Sequence, residues 1–383
     1  MKKLLSLFIF LTLWLYSCST GVPVVVEEAH PEPILPQVDF LTILAAGDNL
    51  YHSVMIRSGE GGDYKTAYEE IRYLVSPADI AFINQETLLA GEDFTFSGYP
   101  LFNTPQKVGT VLAETGFNVV NHATNHIMDK GEKAVLATLD FWDSIPGMTV
   151  LGIHRSQEQR DMGVLLKKNN ITTGFLSYTY GTNSIPVPAA KPYLVSLVNT
   201  EIMAKEINAL RPLCDILVVS MHWGEEYRHE PSKNQETLAL FLAEHLVDLV
   251  IGHHPHVIQE IKYIPRPDGK ETLCYYSLGN LLSAQTQPRT LLGALAHIGI
   301  KRVAFPDSKP LITIENAGAI PMVTHYEKSF TGFKIYPLYA YTEELAEKHY
   351  VNQNKKELTM EYLGSLSRRI FGEKETLRNP FIY

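Results

Sequence analysis

Short apolar runs recur along this chain, and five of them end on side chains that can bind cations. Residues 41–46 run into Gly47 and Asp48, and residues 78–83 run into Asn84 and Glu86. Residues 117–120 lead to Asn121, His122, Asn125 and His126, residues 215–221 to His222, and residues 247–251 to Gly252, His254 and His256. Such short, β-prone, almost wholly apolar runs bounded by turn formers predict strands covered on both faces, as in βαβ units. Helical spacing fills the gaps between them. Val108, Val111, Leu112 and Thr115 form one stripe, with Thr104 as the expected N-cap, Pro105 at the first helical position and Gly116 as the stop. Val135, Leu136, Leu139 and Trp142 form another stripe, and Ser232 with Gln235 makes a capping box ahead of Leu238, Phe241, Leu242 and Leu246. Further strands are expected near 172–178, 271–278, 295–302 and 311–323, which is enough for two sheets. From about residue 343 the pattern turns helical and charged, with Leu358, Tyr362, Leu366 and Ile370 on one face. In α/β sheets, ligands bind beyond the carboxyl ends of the strands. Side chains far apart in sequence are therefore expected to converge there.

Composition changes this picture only at the N-terminus. With 45% hydrophobic and 20% charged residues, the 383-residue chain has a globular composition. Lys2 and Lys3 followed by an apolar stretch from Leu4 to Tyr16 read as a targeting signal, shorter than the ~20 residues a membrane-spanning helix needs. Leu15-Tyr16-Ser17-Cys18 resembles the cleavage and lipidation site of bacterial lipoproteins, which makes Cys18 the expected acylated residue. The segment to about residue 38 is rich in proline, without apolar period, and reads as a tether. The expected organisation is thus a signal over 1–17, a tether over 18–38, a folded domain over 39–342 and a helical extension over 343–383. The net charge is −9, and losing Lys2 and Lys3 takes it to −11. The basic residues are dispersed, so no nucleic-acid partner is expected. Cys214 and Cys274 read as two small buried hydrophobes, with a single bridge between them as the alternative.

The chemistry concentrates at the strand ends. His254 and His256 flank a proline that stiffens the backbone, so both imidazoles can enter one crevice. Asp48 follows a glycine that lets the chain turn, and Glu86 is a carboxylate able to bridge two ions. Asn125 and His126, followed by Asp129 and Gly131, join a neutral oxygen ligand to a proton donor whose charge Asp129 can offset. His122 and Asn121 are candidate outer partners. His222 adds a further ligand ahead of a polar lip holding Tyr227 and His229. Ser277-Leu-Gly-Asn280 reads as another crevice edge.

Taken in order, Gly-Asp48, Asn84-x-Glu86, Asn125-His126-x-x-Asp129-x-Gly131, His222-Trp-Gly-x-Glu-Tyr227, Gly252-x-His254-Pro-His256 and Tyr-Ser-Leu-Gly-Asn280 resemble the CapA/PgsA family of bacterial capsule proteins. That family is linked to poly-γ-glutamate synthesis or export and has the fold of calcineurin-like metallophosphoesterases. The resemblance covers about residues 40 to 285. It implies a four-layer α/β/β/α sandwich holding two divalent ions, Mn, Fe or Zn. Asp48, Glu86 and His256 would serve one ion, and Glu86, Asn125, His222 and His254 the other. His126, supported by Asp129, would be the general acid or transition-state stabiliser, and Asn84, Tyr227, His229 and Asn280 would line the substrate side. Where the wider phosphoesterase pattern has a histidine two places after the first aspartate, this chain has Leu50, leaving Asn49 or His52 as substitutes.

The leading expectation is a membrane-anchored lipoprotein facing the periplasm or cell exterior, with a metal-dependent hydrolase acting on a phosphoester or related bond of a capsule or cell-envelope polymer. The alternatives are a non-catalytic surface protein that assembles, anchors or exports an anionic polymer, and metal-assisted amide chemistry.

Overall fold

The computed structural model describes residues 35–377 apart from 60–62, 307, 354 and 374–375. The signal over 1–17, Cys18 and the tether as far as residue 34 lie outside the described residues. From Gln37 onward the apolar runs become strands: β1 (Gln37–Asn49), β2 (Ile80–Gln85), β3 (Val119–Asn121), β4 (Thr149–Leu151), β5 (Val164–Lys168), β6 (Ile171–Thr179), β7 (Ile216–His222), β8 (Leu249–His253), β9 (Ile261–Pro265), β10 (Glu271–Tyr275), β11 (Asn280–Leu282), β12 (Leu292–Ala304), β13 (Leu311–Glu327) and β14 (Thr331–Pro337). They form two sheets. The first has the order β14-β13-β12-β1-β2-β3-β4, with β11 beside β1; the second has the order β5-β6-β7-β8-β10-β9. The centres are parallel, β1 through β4 in the first sheet and β6, β7, β8 and β10 in the second, with antiparallel strands at the margins.

Alternation along the strands explains the layers. In the second sheet Ile216, Val218, Leu249, Ile251, Leu273 and Tyr275 join Ile43, Phe82 and Val119 of the first sheet in one core. Their neighbours Leu217, Val219, Met221, Val250 and Cys274 point the other way, against Met203, Ile207, Leu238 and Leu242 of the helices Thr200–Leu210 and Lys233–Glu244. That is the period of two expected of a strand buried on both faces. The first sheet is covered in turn by the helix Gln106–Thr115, which places Val108, Val111 and Leu112 in the same core. The chain is therefore a four-layer α/β/β/α sandwich.

Local signals account for most boundaries. The Ser232–Gln235 capping box forms as its spacing predicts. Thr104 does not cap: Pro105 occupies the N-cap position without a side-chain bond, because the Thr104 hydroxyl is engaged by Thr87 at 2.7 Å. Near the C-terminus the helix Met360–Phe371 buries Leu363, Leu366, Ser367 and Phe371, whereas Leu358 precedes the helix and Tyr362 and Ile370 are only partly covered. The expected stripe is thus rotated, since the helix begins two residues after Leu358. Leu358, Leu363, Leu366 and Phe371 are part of the main core. Cys214 and Cys274 are both free thiols. No helix among the described residues is long and apolar enough to cross a membrane.

Candidate metal centre

Strand register assembles the polar ends into rows. In the first sheet Asp48 on β1 lies opposite Asn84 on β2 and Asn280 on β11, and Asn84 lies opposite Asn121 on β3. In the second sheet His222 on β7 lies between Thr179 on β6 and His253 on β8. The two rows meet. The His254 backbone N–H donates to Asp48 Oδ2 at 3.2 Å, and His256 Nδ1 stands 3.2 Å from the same oxygen. This closeness depends on glycine. A Cβ on Gly47 would lie 2.0 Å from the Gly279 carbonyl oxygen, and one on Gly252 would lie 2.0 Å from that of Tyr276. The loop after β8 holds His254 at φ 96° and His256 at φ 58°, a left-handed conformation that such side chains rarely adopt. Strain of this kind, about 1–3 kcal/mol per residue, persists where surrounding contacts enforce it, typically at functional sites.

Three ligand groups result. Asp48, Glu86 and His256 have ligand atoms within 4.8 Å of one another; so do Glu86, His222 and His254, and so do Glu226, His254 and His256. Glu86 belongs to two of these groups and joins them. It is fully buried and neither of its oxygens has a hydrogen-bond partner, while His222 Nε2 and His256 Nε2 each stand 3.8 Å from Oε1. A buried carboxylate without donors is costly, on the order of several kcal/mol, unless a cation neutralises it. Burial accordingly pushes the Glu86 carboxyl well above its usual range. For Asp48 burial acts in the same direction but is outweighed by the hydrogen bond and charge of His256, so its carboxyl is lowered. His256 is itself depressed by burial and then lifted to about 9 by Glu86 and Asp48. Burial drives the other imidazoles toward the neutral, ligating form, with His254 at about 3 and His222 well below its ordinary value. His222 Nδ1 and His254 Nδ1 are also without partners. This donor set of carboxylates and neutral imidazoles fits divalent Mn, Fe or Zn.

The remaining predicted residues separate into those beside the ligands and those behind them. Asn125 Oδ1 meets His222 Nε2 at 2.8 Å, which brings it to the second ligand group. His126 is 7% exposed and donates through Nδ1 to Asp129 Oδ2 at 2.8 Å, and that oxygen also accepts the Phe102 N–H at 2.7 Å. Asp129 thus fixes the ring, leaving Nε2 as the nitrogen free to exchange a proton. Tyr227 sits with its ring 6.0 Å from that of His256, and His229 is turned to the Ile258 carbonyl, 2.9 Å from Nδ1.

Asn84 and Asn280, expected on the substrate side, are fully buried. Asn84 donates to Asp48 Oδ1 at 2.8 Å and accepts from Asn121 at 2.6 Å, while Asn280 Oδ1 pairs with His256 Nδ1 at 3.1 Å. Their place in the strand rows turns them onto the ligands instead of the crevice mouth. Of the residues near the missing histidine, His52 is in none of the three ligand groups, with Nδ1 3.2 Å from the Leu50 carbonyl, and the Asn49 amide is engaged by Gln85 and Tyr68 at 2.7 Å each. His122 accepts from Trp142 Nε1 at 2.7 Å, and burial lowers it to about 3.

Sequence reasoning passed over four participants. His253 is buried with both ring nitrogens unpartnered, stacked on Phe82 and 3.6 Å from Asp48 Oδ1. Its one signal is the unbroken His253-His254 pair, and strand alternation argues against both members facing the same crevice. Tyr180, with its ring 4.7 Å from that of His254, and Asn183, whose Oδ1 accepts from Asn125 at 3.3 Å, come from a loop with no motif. Glu226 is visible in the sequence only as part of a polar lip.

Residues 42–285 match the family model described as bacterial capsule synthesis protein PGA_cap. The chain is 28% identical over 230 residues to the capsule biosynthesis protein CapA of Bacillus anthracis, covering 57% of this chain and 53% of that one. It is 30% identical over 193 residues to the PGA biosynthesis protein CapA of Bacillus subtilis, covering 50% of this chain and 49% of that one. The match spans about half the length of these curated relatives. Among solved structures, a putative 5'-nucleotidase from Staphylococcus aureus aligns over 74% of this chain and 54% of its own, with a TM-score of 0.44 and 14% identity. The NAD nucleotidase of Haemophilus influenzae aligns over 87% of this chain and 61% of its own, with a TM-score of 0.44 and 11% identity.

Proposed function

The chain belongs to the bacterial capsule synthesis family PGA_cap, and from that premise we propose that it is an exported, lipid-anchored, two-metal hydrolase acting on a phosphoester-type bond of a capsule or cell-envelope polymer. The observation that carries this reading is Glu86, a fully buried carboxylate with two unpartnered oxygens shared between two histidine-bearing ligand groups. Asp48, Glu86 and His256 would hold one ion, and Glu86, Asn125, His222 and His254 the other. When bound, such a pair activates water and takes up charge on the oxygens of the reacting group. The protein's own contribution is positional. Asp48 is braced by Asn84, and His256 by Asn280. Asp129 holds the His126 ring so that Nε2 can give a proton to the leaving oxygen, general-acid work worth roughly 10²–10⁴-fold. Cys18, acylated after removal of the signal, would tether the enzyme to the membrane.

Elemental analysis of the purified protein, paired with hydrolysis of an aryl phosphodiester and monoester, tests this. Between one and two transition-metal ions per chain are expected, with metal and turnover both lost in a His254→Ala/His256→Ala variant. Metal-free protein with these histidines intact would overturn it. Full metal occupancy without turnover, together with an envelope phenotype unchanged by His126→Ala, would favour the non-catalytic role in polymer assembly or export.

A further inference from the structure

The lip after β7 holds one carboxylate that the two-ion assignment leaves unused. Glu226 is exposed, yet its carboxylate and the ligand nitrogens of His254 and His256 lie within 4.8 Å of one another. Its neighbour Glu225 faces outward instead, paired with Arg228 at 2.7 Å. Among the described residues no lysine or arginine pairs with Glu226.

The chain around Glu226 is pinned on both sides. Gly224, at φ 92°, has no room for a side chain, since a Cβ would lie 2.5 Å from Gln235 Oε1. Tyr227, at φ 64°, donates its N–H at 2.8 Å to the carbonyl of Pro255, the residue between the two histidines. Gln259 Nε2 then donates to the Arg228 carbonyl at 2.9 Å. A left-handed tyrosine persists only where surrounding contacts enforce it. These contacts hold the Glu226 backbone against the histidine turn, which a freely solvated lip would not require.

The ligand groups below it are unequal. Asp48, Glu86 and His256 give the first ion three protein ligands, whereas Glu86, Asn125, His222 and His254 give the second four. Charge is short as well. Two divalent ions bring four positive charges against the two negative charges of Asp48 and Glu86, because asparagine and neutral imidazole add none. One further carboxylate beside His256 answers both deficits. We propose that Glu226 is a ligand of the first ion, closing from the lip the coordination that Asp48, Glu86 and His256 begin at the strand ends. The proposal rests on the two-ion reading but not on turnover.

The test is titration of the chelator-treated full chain with manganese(II), with free ion read by electron paramagnetic resonance and bound ion by elemental analysis. Wild type should take two ions. Glu226→Gln should hold one as wild type does and the other about tenfold or more weakly, the range that even outer partners of a ligand command. Its metal-free melting temperature should not move, because the side chain is exposed. Glu225→Gln should match wild type, and Glu226→His, which removes the charge but offers a nitrogen, should recover part of the affinity. In Asp48→Asn, which already weakens the first ion, adding Glu226→Gln should cost no further metal. Glu226→Gln holding both ions within twofold of wild type would overturn the proposal and leave the two-ion reading standing. Equal weakening in Glu225→Gln, or no recovery in Glu226→His, would overturn it by making Glu226 a nearby charge instead of a ligand. Loss of the remaining ion from the Asp48→Asn/Glu226→Gln variant would place Glu226 on the second ion and overturn it too. Wild type taking one ion or none would sink it together with the two-ion reading, whereas the expected affinities without turnover would sink only the hydrolase reading.

Discussion

At the scale of single residues, Glu86 is the most informative side chain. Because its buried oxygens have no donors, the metal-free protein carries an unsatisfied carboxylate in its centre. Glu86→Gln should therefore raise the melting temperature of chelator-treated protein by a few degrees, while cutting bound metal by at least half. Scanning calorimetry with elemental analysis reads both, and a variant that keeps full metal would remove Glu86 from its bridging place. His126→Ala should leave metal content unchanged and lower turnover of any substrate by about 10²–10⁴-fold. Asp129→Asn, which keeps the shape but weakens the hold on Nδ1, should lose less turnover than His126→Ala. Equal metal loss in His126→Ala would make it a ligand instead of a proton donor.

At the scale of elements, the ends of β8 and β1 are constrained by close backbone approach. A methyl group on Gly252 would fall 2.0 Å from the Tyr276 carbonyl oxygen and 2.7 Å from Trp223 Nε1. Gly252→Ala is therefore expected to destabilise by about 3 kcal/mol or more, within the range of changes that force the backbone to move, and to release metal by displacing His254. Gly269, which has φ 80° but nothing within 4 Å of an added methyl, serves as the control. There alanine should cost only about 1 kcal/mol through the backbone. Urea midpoints of the two variants decide it: similar losses would show that close approach does not limit the end of β8.

At the scale of the whole molecule, buried neutral histidines link stability to pH. His349 accepts the Val351 N–H at Nδ1 and holds the Thr324 carbonyl at Nε2, so both ring nitrogens are used by the uncharged form. Burial chiefly, helped by the charge of His325, lowers it to about 3, and burial does the same to His122. In the unfolded chain both titrate near 6.5. The unfolded state thus binds more protons between those values, and the stability these histidines contribute is fully present above about pH 6.5 and lost as pH falls toward 3. Each unit of that interval costs up to about 1.4 kcal/mol per histidine. In chelator-treated protein the urea midpoint should fall steeply from pH 6.5 to 4, and less steeply in His349→Gln. An unchanged slope in that variant would mean that His349 titrates normally in the fold.

The apolar runs ending in Asp48, Glu86, His222 and His254 determined the strands, their burial on both faces and the end of the sheets where ligands gather. These depend on local pattern: alternation, propensity and caps act within a few residues. What only the tertiary structure decided is which side chains of those clusters face one another. Strand register turned Asn84 and Asn280 inward onto Asp48 and His256, and brought Tyr180 and Asn183 from a loop without a motif to the rim. The end of β8 set His253 beside Asp48, and the left-handed turn after it let His254 and His256 reach the same crevice, against the simple alternation of a strand. Such pairings depend on register, close packing and burial of the entire chain, quantities that no short window of sequence contains.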